Sequence, residues 1–179
     1  YRSSRGLGDV YKRQTIRTRQ ALSGAGWKLL FDAEALSGNV NPFIPQEEEK
    51  LIAELKYLLG IDVPVIASCN RVSERDGHFV SVGVELSRET TVEEVEELMK
   101  IPTLGLPSSP KLVNEIIDDS PTRQEYLWNG RGMTTTVGNI RVEGNIVRYD
   151  ALSHNTVRGA AGGVILLAEF AVQESYITK

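Results

Sequence analysis

The stretch Val63-Pro64-Val65-Ile66-Ala67-Ser68-Cys69-Asn70-Arg71-Val72-Ser73-Glu74-Arg75-Asp76-Gly77-His78-Phe79-Val80-Ser81-Val82-Gly83-Val84-Glu85-Leu86 decides the fold. In its first half Val63, Val65, Ala67 and Cys69 alternate with other residues and lead to Arg71. In its second half Val80, Val82, Val84 and Leu86 alternate in the same way, starting from His78. Period-two apolarity marks strands with one buried face. A tight connection at residues 73–76 predicts Val72 opposite Gly77 and Arg71 opposite His78. The same register sets Cys69 against Val80, Ala67 against Val82 and Val65 against Val84, so one pairing matches every apolar partner. Directly opposed side chains stand roughly 5 Å apart at Cβ. A guanidinium and an imidazole are therefore expected at the open end of a core face. Hairpin ends are wet, and both can be plain surface residues there. The functional alternative is a site that grips a carboxylate through the planar arginine fork and moves a proton through a histidine. The neighbouring cation disfavours imidazolium, so a neutral His78 is expected at pH 7.

Upstream of this stretch, Pro45 fits a first helical position, and Glu47, Glu48 and Glu49 fill a first turn where the helix dipole favours anions. Leu51, Ile52, Leu55, Leu58 and Leu59 form an apolar stripe, and Gly60 ends the helix. Downstream, Thr90 and Glu93 have capping-box spacing before a second helix that Pro102 stops. Four prolines between 102 and 132 predict an extended arm with a short strand near 112–117 and a turn at Asn129-Gly130. Strands near 133–142 and 146–152 turn at Glu143-Gly144-Asn145, and a last helix runs from about 155 to 173. That helix carries Ala160, Ala161, Val164, Ala168 and Ala171 on one face and Ile165, Leu166 and Leu167 elsewhere, so burial nearly all round is expected. Helices with mostly antiparallel strands on one sheet make an α+β fold.

The chain has 179 residues, the size of one domain or one large half of an enzyme. A net charge of −4 and no run of Lys and Arg speak against a nucleic-acid surface. A single cysteine excludes an internal disulfide framework and suits a cytoplasmic protein. The longest apolar stretch, Val164 to Val172, is too short for a bilayer and contains Glu169, so no membrane role is expected. The histidines and the cysteine lie far apart, with no zinc spacing. Cys69 falls on the apolar face, where a buried thiol is inert as a nucleophile.

Several segments together carry a resemblance. Cys69-Asn70-Arg71-Val72 with Asp76-Gly77-His78 resembles the substrate motif of the aspartate-semialdehyde dehydrogenase family, in its archaeal and fungal branch. Gln20 to Gly26 is similar to the segment downstream of that family's nucleophile. Asn39 to Ile44 followed by Glu47-Glu48-Glu49-Lys50 resembles the start of its dimerisation-domain helix. Leu152 to Gly162, with Gly132-Met133 and Val137-Gly138 upstream, resembles its C-terminal signature. The likeness spans Thr15 to about Phe170, with the motifs in family order. It departs at Ser73, where a proline is common, and at Arg19, Trp27 and Phe79.

The resemblance implies a glyceraldehyde-3-phosphate-dehydrogenase-like C-terminal domain with a mixed sheet. It implies NADPH-dependent reduction of 4-aspartyl phosphate to aspartate 4-semialdehyde, a step in lysine, threonine and methionine biosynthesis. Arg71 then binds the α-carboxylate, Glu47 the ammonium and Lys50 the phosphate, although on their own Glu47 and Lys50 are an ordinary exposed ion pair three residues apart. His78 is the acid and base, and Gln20 orients the substrate. Asn155 reaches the nicotinamide of NADP, with Ser23 and Gly24 nearby, although Asn155 alone reads equally as a helix cap. His154 is expected to be a loop neighbour. A homodimer or homotetramer is implied. A malonyl-CoA or related acyl-CoA reductase of the same superfamily is the alternative, needing Arg71 and His78 but no ammonium ligand; a non-catalytic dimerisation module is the other.

Domain expectations follow. Asp9-Val10-Tyr11-Lys12-Arg13-Gln14 resembles a translated sequencing adapter, so Tyr1–Gln14 is expected to be non-native and outside the fold, fused to a truncated gene. Residues 15–153 form the catalytic and dimerisation domain. Residues 154–179 form a helix expected to pack on a nucleotide-binding domain that this chain lacks. The nucleophilic cysteine is expected upstream, so the chain alone is expected to be inactive.

Overall fold

A computed structural model of the protein describes residues 11–30, 40–60 and 62–177. Seven strands form its framework: β1 (Tyr11–Gln20), β2 (Val40–Asn41), β3 (Val65–Val72), β4 (His78–Leu86), β5 (Asn114–Ile116), β6 (Thr135–Glu143) and β7 (Ile146–Ser153). They make one sheet in the order β2-β3-β1-β4-β7-β6-β5. The three longer helices are α1 (Glu47–Leu59), α2 (Val92–Met99) and α3 (Gly162–Gln173). The fold is therefore α+β with a mixed sheet, as expected.

The alternating strands at 65–72 and 78–86 are present, but they are not a hairpin. β1 stands between them, parallel to β3 and antiparallel to β4. Gln20 pairs with both Arg71 and His78, Thr18 with Cys69 and Val80, Ile16 with Ala67 and Val82, and Gln14 with Val65 and Val84. Every row expected from the two-stranded register survives, with one residue of β1 inserted in each. Arg71 and His78 are thus two strand spacings apart, roughly 10 Å, and not one. Residues 73–77 are long enough to cross the end of β1. They are held there by backbone bonds from Ala21, Leu22 and Ser23 to the carbonyls of Gly77, Glu74 and Arg75.

β1 escapes the hydrophobic pattern because its inner face offers Gln14, Ile16, Thr18 and Gln20, with one aliphatic side chain. Gln14, Ile16 and Thr18 are nonetheless buried. Tyr11–Gln14, expected to lie outside the fold, are the first part of this central strand, and the Gln14 amide donates to Pro64 O at 2.9 Å. Tyr1–Val10 lie outside the described residues. The departures at Arg19 and Phe79 are neighbours in register, and the Arg19 guanidinium lies 5.2 Å from the Phe79 ring centre.

α1 crosses the inner face of the sheet. Its inward residues are Leu51, Leu55 and Leu59, while Leu58, expected in the stripe, is 76% exposed, because its position on the helix turns it to solvent. The helix starts at Glu47, not at Pro45, after Gln46 in a left-handed conformation (φ 66°). Gly60 ends it with φ 63° and a bond to Lys56 O. The cap of α2 is Thr91, one residue beyond Thr90, and its hydroxyl accepts from Glu94 N. The last helix opens as a π-helical turn at Val157–Ala161 before α3. Only Leu166 of α3 is buried, in a small cluster with Leu106 and Met133; Val164, Ile165 and Leu167 are more than half exposed, so burial all round does not hold among the described residues.

The central position of Tyr11–Gln14 makes a direct test available. A chain starting at Thr15 loses the paired ladder on both sides of Gln14, and is expected to lose about 2–4 kcal/mol of stability at roughly 1 kcal/mol per backbone bond. Urea unfolding measures this, and an unchanged midpoint would contradict the placement of these residues.

Candidate active site

The row Arg71–Gln20–His78 ends the inner face of the sheet, and the N-terminus of α1 lies over it. The pairing across β1 points all three side chains to the same face. Glu47, in the first turn of α1, accepts a hydrogen bond from Gln20 Nε2 at 3.0 Å. Lys50, one turn on, places Nζ 3.6 Å from the other Glu47 oxygen. The Gln20 bond holds the Glu47 carboxyl below the usual range against the opposing effect of burial, with Lys50 and then Arg71 adding to the lowering. Arg71 is 7% exposed and donates from Nη1 to Ala21 O at 2.8 Å. Burial lowers the Arg71 pKa while Glu47 supports its charge.

His78 is shifted downward chiefly by burial, with Arg71 acting in the same direction and Glu47 against it. The expected neutral imidazole is thus supported, with desolvation as the larger cause and the cation as the smaller. Glu47 is the shared neighbour through which Gln20, Lys50, Arg71 and His78 are electrostatically linked. Gln20, Glu47, Lys50 and His78 line a groove of about 730 Å³ between α1 and the sheet, together with Ile16, Leu51, Leu55 and Val82, and Arg71 adjoins it beside Gly24. A groove that brings the Glu47 carboxylate, the Lys50 ammonium and the His78 imidazole together, with the Arg71 guanidinium adjoining, suits a small zwitterion.

Gly24 follows β1 in a 3₁₀ turn at Leu22–Ala25. A Cβ there would stand 3.1 Å from Arg71 Nη1, 3.7 Å from Gln20 Oε1 and 4.0 Å from Asn155 Nδ2. The glycine therefore leaves an open cradle among three site side chains. Asn155 accepts from Gly77 N at 2.8 Å and donates to Ser23 Oγ at 2.7 Å. The Gly77 amide can only donate, which sets the Asn155 oxygen toward it. Asn155 thereby ties the residue before His78 to the turn after Gln20. One amide N–H and one oxygen lone pair of Asn155 stay uncommitted in these two bonds.

Other side chains of the site were not visible from spacing. Glu48 accepts from Cys69 N at 3.0 Å, and Arg123 donates from Nε to Asp76 O at 2.8 Å, bracing the 73–77 crossing. Arg123 sits in a single helical turn far downstream, and no local pattern links it to that loop. Cys69 is buried, and burial pushes its thiol pKa up. His154 is 2% exposed, edge-on to Trp128, and is not among the groove residues. Among the described residues no group of three His, Cys, Asp or Glu is placed to hold a metal ion. Among them, too, no helix is long and apolar enough to cross a membrane.

Residues 6–158 match the family model described as semialdehyde dehydrogenase, dimerisation domain. The chain is 42% identical over 176 residues to an aspartate-semialdehyde dehydrogenase of Archaeoglobus fulgidus, covering 90% of this chain and 51% of that protein. A malonyl CoA reductase (NADP) of Metallosphaera sedula is 30% identical over 184 residues, covering 92% of this chain and 52% of that protein. A crystal structure of aspartate semialdehyde dehydrogenase with NADP from Candida albicans superimposes with a TM-score of 0.76, at 29% identity, over 93% of this chain and 52% of that one. The chain spans about half the length of the curated relatives it matches.

The electrostatics predict the titration of His78. Its midpoint lies below the unfolded value of about 6.5. The unfolded chain then binds a proton that the folded chain refuses, so His78 contributes a loss of stability as pH falls from the unfolded value toward the folded one. Glu47→Gln removes the opposing carboxylate and is expected to lower the midpoint further. NMR titration of the imidazole checks both, and an upward shift in Glu47→Gln would contradict the coupling. Gly24→Ala is expected to displace the Arg71 guanidinium, seen as a shifted arginine side-chain resonance.

Proposed function

The chain belongs to the semialdehyde dehydrogenase family through its dimerisation domain, and we propose that it forms the substrate-binding half of an NADP-dependent aspartate-semialdehyde dehydrogenase. The reaction is reduction of 4-aspartyl phosphate to aspartate 4-semialdehyde with release of phosphate. The observation that carries this is the convergence of Glu47, Lys50, Gln20 and His78 on one groove, with the buried Arg71 adjoining it beside Gln20 and Gly24. Arg71 takes the α-carboxylate as a bidentate partner. Glu47, kept ionised by Gln20 and the cations, takes the ammonium. Lys50 takes the phosphate, and Gln20 orients the reacting end.

His78, neutral near pH 7, takes a proton from the attacking thiol and returns it as acid. The nucleophile is a cysteine other than the buried Cys69. The uncommitted groups of Asn155 and the cradle at Gly24 fit a carboxamide, so Asn155, with Ser23 and Gly24, would hold the nicotinamide. When bound, NADP supplies or accepts the hydride.

Two further surfaces find a use in this reading. The outer face of the sheet carries Arg13, Arg17, Arg141 and Arg148 with Glu85 and Asp150 around a second groove of about 590 Å³, and its mixed charge suits a second copy of the chain. The exposed Val164, Ile165 and Leu167 of α3 pack on a nucleotide-binding domain. An acyl-CoA reductase is the second reading, favoured by the Metallosphaera relative. Glu47 separates them, since a malonyl group has no ammonium for it to hold.

Calorimetric titration of the chain with L-aspartate 4-semialdehyde tests the proposal. Arg71→Ala and Glu47→Ala are each expected to weaken binding by about 1–3 kcal/mol, the cost of leaving a charged partner unpaired. Affinity unaffected by Glu47→Ala would favour the acyl-CoA reading. A dimer is expected in sedimentation, weakened by Arg17→Glu.

A further inference from the structure

Three consecutive glutamates open α1, and their side chains do different things. Glu47 meets Gln20, Glu48 accepts the backbone N–H of Cys69 at 3.0 Å, and Glu49 is exposed. The Cys69 bond has a topological cause. β3 is bordered on one side by β1 along Gln14 to Gln20, but on the other by β2, which pairs only with Arg71 and Val72. Among the described residues no strand borders the outer edge of β3 at Cys69, and an edge amide needs an acceptor. The Glu48 carboxylate takes the place of the strand.

The start of α1 has no side-chain cap at its N-cap residue. Gln46, at the N-cap, makes no capping bond and has a left-handed backbone, which L residues adopt at a cost. Glu48 therefore fixes the first turn of α1 to β3 two residues from Arg71, and so fixes Glu47, its neighbour, relative to the Arg71 guanidinium. An α-amino acid carries its ammonium and carboxylate on one carbon. The carboxylate that receives the first and the guanidinium that receives the second must keep one spacing.

We propose that Glu48 is a positioning residue that sets the Glu47-to-Arg71 spacing and thereby selects α-amino-acid substrates. This rests on the roles given above to Glu47 and Arg71. A carboxylate that only complements the helix dipole would act through its charge, as Glu49 can. The tether needs an acceptor and not a charge.

The test uses the 179-residue chain with L-aspartate 4-semialdehyde and, for comparison, succinate semialdehyde, which lacks the ammonium. Calorimetry gives the affinities, and NMR gives the exchange rate of the Cys69 amide. Glu48→Ala is expected to speed that exchange and to weaken aspartate semialdehyde binding by about tenfold, as loss of a part-buried acceptor implies, with little effect on succinate semialdehyde. Glu48→Met, which keeps the stem without the acceptor, carries the same expectation and serves if Glu48→Ala does not fold. Glu48→Gln, which keeps an acceptor oxygen, and Glu49→Gln are expected to stay within about threefold of the parent chain. Unchanged Cys69 exchange in Glu48→Ala, or Glu48→Gln as weak as Glu48→Ala, overturns the tether. Failure of the underlying roles shows separately, as a Glu47→Ala chain that binds as the parent does.

Discussion

The backbone ladders on the two sides of β1 are the constraint on which this molecule depends. β1 pairs with β3 along one edge and with β4 along the other, and Gln20 terminates both registers. Because each ladder places its partners in one row, Arg71, Gln20 and His78 emerge together on one face. A shift of one residue in either ladder would turn one of these side chains to the opposite face. The 73–77 crossing adds to the constraint. It passes over the end of β1, bonded to Ala21, Leu22 and Ser23 and braced by Arg123. His78 thus enters the site from a loop secured on two sides.

Charge in the groove is balanced around Glu47. Its carboxylate receives Gln20 and stands beside Lys50, while Arg71 and His78 feel it at longer range. Burial acts on the two basic groups in the same direction, against their charged forms, but with different consequences. Arginine has a pKa so high that a lowered value leaves it cationic. Histidine starts near neutrality, so the same desolvation favours the uncharged base. One environment therefore maintains a permanent cation and a proton acceptor in one row, on either side of Gln20. Gly24 keeps the space beside Arg71, Gln20 and Asn155 open, since a side chain there would press on the Arg71 guanidinium.

The two faces of the sheet divide the remaining roles. The inner face holds the groove beneath α1, polar at its Gln20 end and apolar along Ile16, Leu51 and Leu55. The outer face is lined by arginines from β1, β6 and β7 together with Glu85 and Asp150. Alternation along β1 produces both at once: Gln14, Ile16 and Thr18 turn inward, and Arg13, Arg17 and Arg19 turn outward. A strand that is polar on both faces can still be central, because its ladder bonds come from the backbone.

Strand alternation made β3, β4, β6 and β7 legible, along with the row that joins Arg71 to His78, because apolar period and register need only local residues. Family motifs brought Gln20, Glu47, Lys50 and Asn155 into view, and the structure gathers Gln20, Glu47 and Lys50 at the groove while Asn155 bridges the two segments beside it. The two strands are not adjacent, because β1, which begins at Tyr11, lies between them. Register parity is the same whether two strands are adjacent or have a third between them, so the apolar pattern could not reveal β1, whose inner face carries a single aliphatic residue. That Glu48 completes a strand edge at Cys69, and that β1 lies between β3 and β4, were decided by tertiary structure alone. Those outcomes depend on where a helix end meets a sheet and on the order of its strands, a long-range geometry that no spacing along the chain encodes.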